Sequence, residues 1–570
     1  MEKKGGACVT APARKREDTM IKLKTKMVSS LEKCFYDDPL ESKTEVTRFT
    51  VFRNERLSFQ VAYRAEHPDP DIKRWCPIKL GGDLAAYAKV RLVGNVLNMY
   101  PTYNVPPAGE FLRTEPGAYP DMLTPFVYPN AVSLPHGQTH ALFVDISLPE
   151  GFPAGTYSII LDIFDQGERL SGVAGEVRVL DAELPAQRLI HTEWFYTDSI
   201  ANHYHCKAFS ERHWQLIESY MRTATQNGIN MVLTPIFTPE LDTYVGGERL
   251  TTQLLDIALT DEGVYKFGFE KLHRWIDTAL RCGYQYFEIP HFFTQWGAHA
   301  APKIIVKVKG KKKKLFGWHT EALGKEYEDF LSQLIPALLG EFRKRGIDRR
   351  CFFHVSDEPH LETLTHYTKC RELIERYLGD YPIMDALSDL EFYSRGATKK
   401  PVPNTRNAEK FYNAGVSGLW AYYCGGGKEG VSDRSISMPL RRTRILGVQL
   451  YKYNIEGFLH WGYNFYNSCQ SHSLLDPFGY ADGGYFTPAG DCFLVYPGTD
   501  GEAWGSLRLN ALREAVDDMR ALDLYESRFG RDAAERLLLE EAGGPLTFTD
   551  YPTQKDFLPR VRARIAEAFS

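Results

Sequence analysis

The chain lacks CxxC pairs, long apolar runs and any excess of positive charge, and each absence removes a class of function. Its ten cysteines are scattered, so Cys34, Cys206, Cys282, Cys351 and Cys424 read as reduced thiols and not as a disulfide framework or a zinc knuckle. A net charge of −5 and a pI near 6.4 exclude nucleic acid as the main partner. No stretch approaches the roughly twenty apolar residues of a membrane-crossing helix. No apolar segment follows the early basic residues Lys3, Lys4, Arg14, Lys15 and Arg16, so no secretory signal is read and cytoplasmic residence is the expectation.

What the chain has in plenty is aromatic side chains, 13% of its 570 residues, in an otherwise ordinary balance of 43% hydrophobic and 25% charged. Flat rings fill β-rich cores and also stack on the apolar faces of sugars. The length calls for more than one core. Residues 1–27 are polar and basic and read as a disordered leader. Over residues 28–186, short alternating runs such as Phe59-Gln60-Val61-Ala62-Tyr63 are punctuated by Pro and Gly, the pattern of an N-terminal all-β sandwich. Leu184-Pro185-Ala186 reads as the linker out of it.

Beyond the linker, strands alternate with amphipathic helices. Eight strands are expected to begin near Leu189, Ile229, Tyr284, Arg350, Pro382, Thr398, Leu419 and Gly457, with helices over residues 211–227, 269–282, 327–345, 361–377 and 504–525. The expected fold is therefore multidomain: a β-sandwich, a (β/α)8 barrel of the TIM type over residues 187–530, and a C-terminal helical extension over 531–570. An open doubly wound sheet is the alternative. In a barrel, chemistry gathers at the C-terminal strand ends. Those ends are acids and aromatics: Trp194 to Asp198, Pro235 to Phe237, Pro290 to Trp296, Asp357 and Glu358, Asp385 to Asp389, Tyr422 to Cys424, and Trp461 to Tyr466.

The sharpest of these is Ser356-Asp357-Glu358-Pro359, closing the apolar run Cys351-Phe352-Phe353-His354-Val355. Proline cannot extend a ladder, so the run reads as a buried strand delivering two carboxylates to a sheet edge. Close carboxylates resist ionising together, which raises one pKa and suits a general acid. The bland alternative is an acid pair making caps or arginine bridges. Trp461 could form the floor under a sugar ring or acetamido methyl, Tyr463 could donate to the acetamido carbonyl oxygen, and Tyr422, Trp296, His354 and Asn464 complete the candidate substrate contacts. Asp385 and Asp389 are candidate nucleophiles for a glycosidase of another mechanism, and a non-catalytic glycan-binding protein is a third reading. His203 and His205 form an HxH, but no further histidine ligand stands at the fifth and sixth strand ends, so no metal and no cofactor is expected. Seven lysines between Lys303 and Lys314 suggest a solvated β-hairpin.

Residues 291–304, Phe316-Gly317-Trp318, the run from His354 to Pro359, Trp420 to Tyr423, residues 441–466, Tyr496-Pro497 and Ser506-Leu507-Arg508-Leu509 together resemble the family 123 glycoside hydrolases and their related uncharacterised catalytic-domain family. The resemblance covers roughly residues 190–530. It implies a retaining β-N-acetylgalactosaminidase using substrate-assisted catalysis, with Asp357 orienting the acetamide, Glu358 as acid and base, and Trp461 and Tyr463 as contacts. The implied partner is an oligosaccharide or glycoconjugate, with short imported oligosaccharides expected from the missing signal. A homodimer is left open.

Overall fold

The computed structural model describes residues 21–67, 74–103, 110–425 and 430–570. They form two compact units: Met1–Val93 with Pro125–Asp181, and Gly94–Thr124 with Ala182–Ser570.

In the first unit, strands Lys22–Ser29, Arg56–Glu66, Thr139–Ser147 and Ala88–Asn98 pair antiparallel in that spatial order. A second sheet runs Arg48–Arg53, Glu168–Glu183, Gly155–Asp165, Trp75–Gly81 and Ala131–Ser133. Alternate residues of both sheets, among them Phe59, Val61, Leu142, Val144, Leu161 and Val177, fill one core. The leader expected to residue 27 is corrected at its end. Residues 1–20 lie outside the described residues, but Lys22 to Met27 already pair with the Arg56–Glu66 strand, and Met27 is buried. Three lysines alternating with Leu23, Thr25 and Met27 are one face of a half-buried strand, which their charge concealed.

The second unit mixes strands and helices. Its eight short parallel strands are Ile190–Glu193, Met231–Leu233, Tyr286–Glu288, Cys351–Phe352, Met384–Ala386, Lys400–Val402, Trp420–Tyr422 and Gly457–His460, here called first to eighth. The fourth, third, second, first, eighth and seventh form one sheet, and the fifth and sixth form another. Single parallel bridges join Phe353 to Ile383 and Asn404 to Tyr422. Helices Glu211–Thr225, Glu270–Cys282, Lys325–Lys344 and Leu364–Leu378 follow the first four strands. Nearly every residue of these strands is buried, as expected where helices cover the outside of a parallel sheet. The eighth strand starts on a glycine for a steric reason: a Cβ at Gly457 would lie 2.1 Å from the Trp420 ring.

Helix Leu507–Phe529, capped by the Ser506 side chain, carries fifteen buried residues, and Arg531–Ala542 and Phe557–Glu567 follow it. The earlier segment Gly94–Thr124 is built into this unit. Its strand Gly117–Thr124 bridges to Ser506 through Met122, and Asp121 receives Arg508 and Tyr496. Among the described residues no helix is long and apolar enough to cross a membrane.

Candidate active site

Past the fourth strand, residues 353–358 are laced between the third and fifth strands. Phe353 N–H donates to Pro382 O at 2.9 Å, Val355 N–H to Asp385 Oδ1 at 3.0 Å, and the Ser356 hydroxyl to Thr294 O at 2.8 Å. Trp296 N–H then reaches Asp357 O at 2.8 Å, and Glu358 N–H reaches Ala386 O at 3.0 Å. Held from both sides, the backbone turns left-handed at Glu358, with φ of 42°. Trp296, with φ of 58°, and Asp242, with φ of 47°, share that disfavoured region. Left-handed backbone in non-glycine residues costs of order 1 kcal/mol or more and clusters at functional sites.

The two acids have different neighbours. Glu358 Oε1 accepts the Tyr422 hydroxyl from the seventh strand at 2.5 Å. Burial and the charge of Glu358 hold the Asp357 carboxyl well above the usual carboxylate range, with Asp385 and Asp242 adding to the push and His354 opposing it. No arginine pairs with either acid among the described residues.

Beneath the pair, His354 Nε2 meets Glu288 Oε1 at 2.7 Å and its Nδ1 meets Asp385 Oδ1 at 3.3 Å. Burial works against the imidazolium, but these two carboxylates outweigh it and lift the His354 pKa to about 9. Glu288 is held in turn by Trp194 Nε1 and the Thr192 hydroxyl. Asp385 also accepts from the Tyr367 hydroxyl at 2.7 Å.

His291, His354 and Asp385 are spaced as a metal site would require, with one ligand atom from each lying within 4.8 Å of the others, and all three are buried. The HxH pair takes no part in this group. Burial, then the charge of His354, press the His291 pKa well below its ordinary value.

Of the expected contacts, the structure brings Tyr422, Trp461 and Trp296 to the strand ends as partly exposed or nearly buried rings. Trp461 is fixed through Nε1–H to Asp491 Oδ2 at 3.1 Å and lies edge-on to Phe465 and Phe486. Asp491 is also held by His460 and the Gly425 N–H.

Three other expectations are corrected. Tyr463 is fully buried, stacked on Phe195, and donates to Tyr220 O. Asn464 is fully buried and pairs both ways with the Tyr196 backbone. His354 is enclosed by two carboxylates and reaches no surface. Of the candidate nucleophiles, Asp385 is buried and accepts from Val355 N–H and the Tyr367 hydroxyl, whereas Asp389 is half-buried and caps helix Leu390–Ser394 by accepting from Glu391 N–H.

Residues the sequence reading passed over also converge here. The loop after the second strand carries Glu240, Asp242 and Arg249, of which Asp242 lies within electrostatic reach of Asp357 and Arg249 over the Tyr196 ring. Burial raises the pKa of Asp242 and of Glu240 to about 7 each. The only available signal was Leu241-Asp242-Thr243 lying just beyond the strand end Pro235 to Phe237, where a strand-end rule stops looking. The lysine-rich segment is the expected hairpin, Ile304–Val308 against Lys311–Phe316, with Lys311 to Lys314 exposed.

The Asp357 environment has a consequence for stability. A carboxyl whose folded pKa is raised contributes stability that is full below the unfolded value of about 3.9 and is lost as pH rises through the folded value. Asp357→Asn is therefore expected to unfold at a higher denaturant concentration than wild type at pH 8, with the gap closing at pH 4. Equal midpoints at both pH values would contradict the buried like-charge pair.

The family described as glycoside hydrolase 123, catalytic domain, matches residues 194–525. Among solved structures, the chain is similar to a family 123 glycoside hydrolase from Clostridium perfringens studied for glycolipid glycan hydrolysis, with a TM-score of 0.71 and 13% identity over 96% of this chain and 98% of that one. A Bacteroides ovatus GH5 xyloglucanase aligns with a TM-score of 0.32 and 9% identity over 83% of this chain and 98% of that one, too remote to carry an argument. No curated protein matches the chain.

Proposed function

This chain belongs to the glycoside hydrolase 123 catalytic-domain family and is a glycosidase, and from that premise we propose that it releases β-linked N-acetylgalactosamine with retention, by substrate-assisted catalysis. The observation that carries this reading is the adjacency of Asp357 and Glu358 while the other strand-end carboxylates, Asp385 and Asp389, are engaged by the protein itself. In this reading the 2-acetamido oxygen of the substrate, in place of a protein carboxylate, supplies the nucleophile.

In the first step that oxygen attacks the anomeric carbon as the bond to the leaving oxygen breaks, and Glu358 gives the leaving oxygen its proton. Asp357 accepts from the acetamide N–H and stabilises the oxazolinium that forms. Water then attacks the anomeric carbon and returns a proton to Glu358, so two inversions give net retention. The pair's raised pKa lies on Asp357, so the scheme requires the proton to pass to Glu358 as Asp357 takes up the acetamide N–H. Tyr422 keeps Glu358 aimed, and Trp461 floors the sugar or its acetamido methyl. We also propose that the eight strands close into a (β/α)8 barrel. The two single bridges, Phe353 to Ile383 and Asn404 to Tyr422, support closure by linking the fourth strand to the fifth and the sixth to the seventh.

The test is a pair of aryl β-galactosides differing only in the 2-acetamido group. The acetamido compound should be hydrolysed and the 2-hydroxy compound left essentially intact. A thiazoline of the same configuration, resembling the cyclic intermediate, should inhibit at least about a hundredfold more tightly than the free sugar. Efficient cleavage of the 2-hydroxy compound, or indifference to the thiazoline, would replace this mechanism with one using a protein nucleophile.

A further inference from the structure

We infer that Asp242, backed by Arg249, is a specificity-determining contact that binds a hydroxyl group of the sugar held by Asp357 and Glu358. The inference extends the glycosidase reading above and depends on it only for the presence of a sugar in the cleft.

Geometry places Asp242 beside the acid pair. Its N–H donates to Gln295 Oε1 at 2.6 Å, and Gln295 Nε2 returns to Thr243 O at 3.0 Å. The next residue, Trp296, is the one whose N–H is bonded to Asp357 O. Gln295 therefore staples the second-strand loop to the loop that holds the catalytic pair. On the other side, Asp242 Oδ2 accepts from Gln470 N–H at 3.1 Å, and its backbone O accepts from the Ser471 hydroxyl at 2.7 Å. Asp242 Oδ1 carries no hydrogen bond among the described residues and is not enclosed. A strained, doubly stapled loop thus holds a carboxylate oxygen free of hydrogen bonds within electrostatic reach of Asp357.

Arg249 lies behind it, 7% exposed, its guanidinium 5.0 Å from the Tyr196 ring centroid and its Nε 3.7 Å from Asp198 Oδ2. Nη2 is bonded to Pro239 O at 2.7 Å, but Nε and Nη1 have no hydrogen-bond partner among the described residues, and neither has the Tyr196 hydroxyl. Burial lifts the Asp242 pKa to about 7, and the field of Arg249 opposes that rise without the arginine occupying the carboxylate. An arginine clamped on both oxygens would make Asp242 a structural residue. This one leaves it an acceptor.

The surroundings choose the ligand. Asp242 and Asp357 lie together with Asp198 around the Tyr196 ring, and each further negative charge brought there would raise their pKa values more, which disfavours a sulfate or uronate relative to a neutral hydroxyl. A neutral hydroxyl donates to a carboxylate oxygen at no such cost, and hydrogen bonds to charged groups discriminate strongly against analogues lacking the donor.

Asp242→Asn preserves an oxygen for Gln470 N–H, so a merely structural role would survive it. Wild type and Asp242→Asn are compared on whichever aryl β-glycoside wild type hydrolyses and on its 3-, 4- and 6-deoxy analogues. The expected result is a loss in kcat/KM of about ten- to hundredfold in wild type for one analogue. The variant should show a similar loss on the parent and almost none further on that analogue. Wild type indifferent to every deoxy substitution overturns the inference even if the variant fails to fold. Additive losses on all analogues overturn it too, as does an inactive variant rescued by azide, which would mark Asp242 as a nucleophile. If the hydrolysed parent lacks a 2-acetamido group, the mechanism proposed above fails, while the same comparison still decides the role of Asp242.

Discussion

Glu358→Gln is expected to lower kcat/KM on glycosides with poor leaving groups by about 10²–10⁴, the usual contribution of a positioned general acid. On aryl glycosides whose phenol departs without help, the loss in the first step should be far smaller, leaving the second step exposed. The asymmetry is the informative quantity. Glutamine keeps an oxygen within reach of the Tyr422 hydroxyl, so the site should keep its shape while losing its proton. A Brønsted plot of rate against leaving-group pKa, steep in the variant and shallow in wild type, would confirm it. A uniform loss across leaving groups would take the acid role away from Glu358.

The second large effect concerns stability. Arg508 is fully buried and donates through Nε and Nη2 to both oxygens of Asp121, at 2.9 and 2.8 Å, and through Nη1 to Phe493 O at 2.8 Å. Tyr496 donates to the same carboxylate at 2.6 Å. Arg508→Met removes the cation and leaves Asp121 charged in the interior, a change that costs about 3–5 kcal/mol in comparable buried pairs. Urea unfolding should show the loss as a lower midpoint. The double variant Arg508→Met with Asp121→Leu should recover much of it, because removing both charges also removes their desolvation. Equal instability of single and double variants would mean that packing, and not charge, is what Arg508 supplies.

Each of the eight strands begins within two residues of its expected start, as Met384 does after Pro382, although only some are apolar runs such as Met231–Leu233: Ile190–Glu193 carries His191 and Glu193, and Lys400–Val402 opens on a lysine. The acid pair was legible because a proline marks where the ladder must stop. Orientation beyond the strand ends was not. Alternation tells faces apart only while backbone stays extended, and Tyr463 and Asn464 lie past that limit, so their side chains turn inward to Tyr220 and Tyr196. The placement of His354 depended on Glu288 and Asp385, 66 and 31 residues away, which no local pattern connects. Asp242 escaped notice because its position is set by Gln295 and Gln470, both remote in sequence.

The strand Gly117–Thr124 belongs with residues that come much later in the chain. A fragment trimmed to start at residue 187, the natural cut suggested by the Leu184-Pro185-Ala186 linker, would discard Asp121 and strand its guanidinium partner in an interior with no counter-charge. Expression of that fragment alone should give insoluble or protease-sensitive material, and co-expression with the missing N-terminal piece should rescue it.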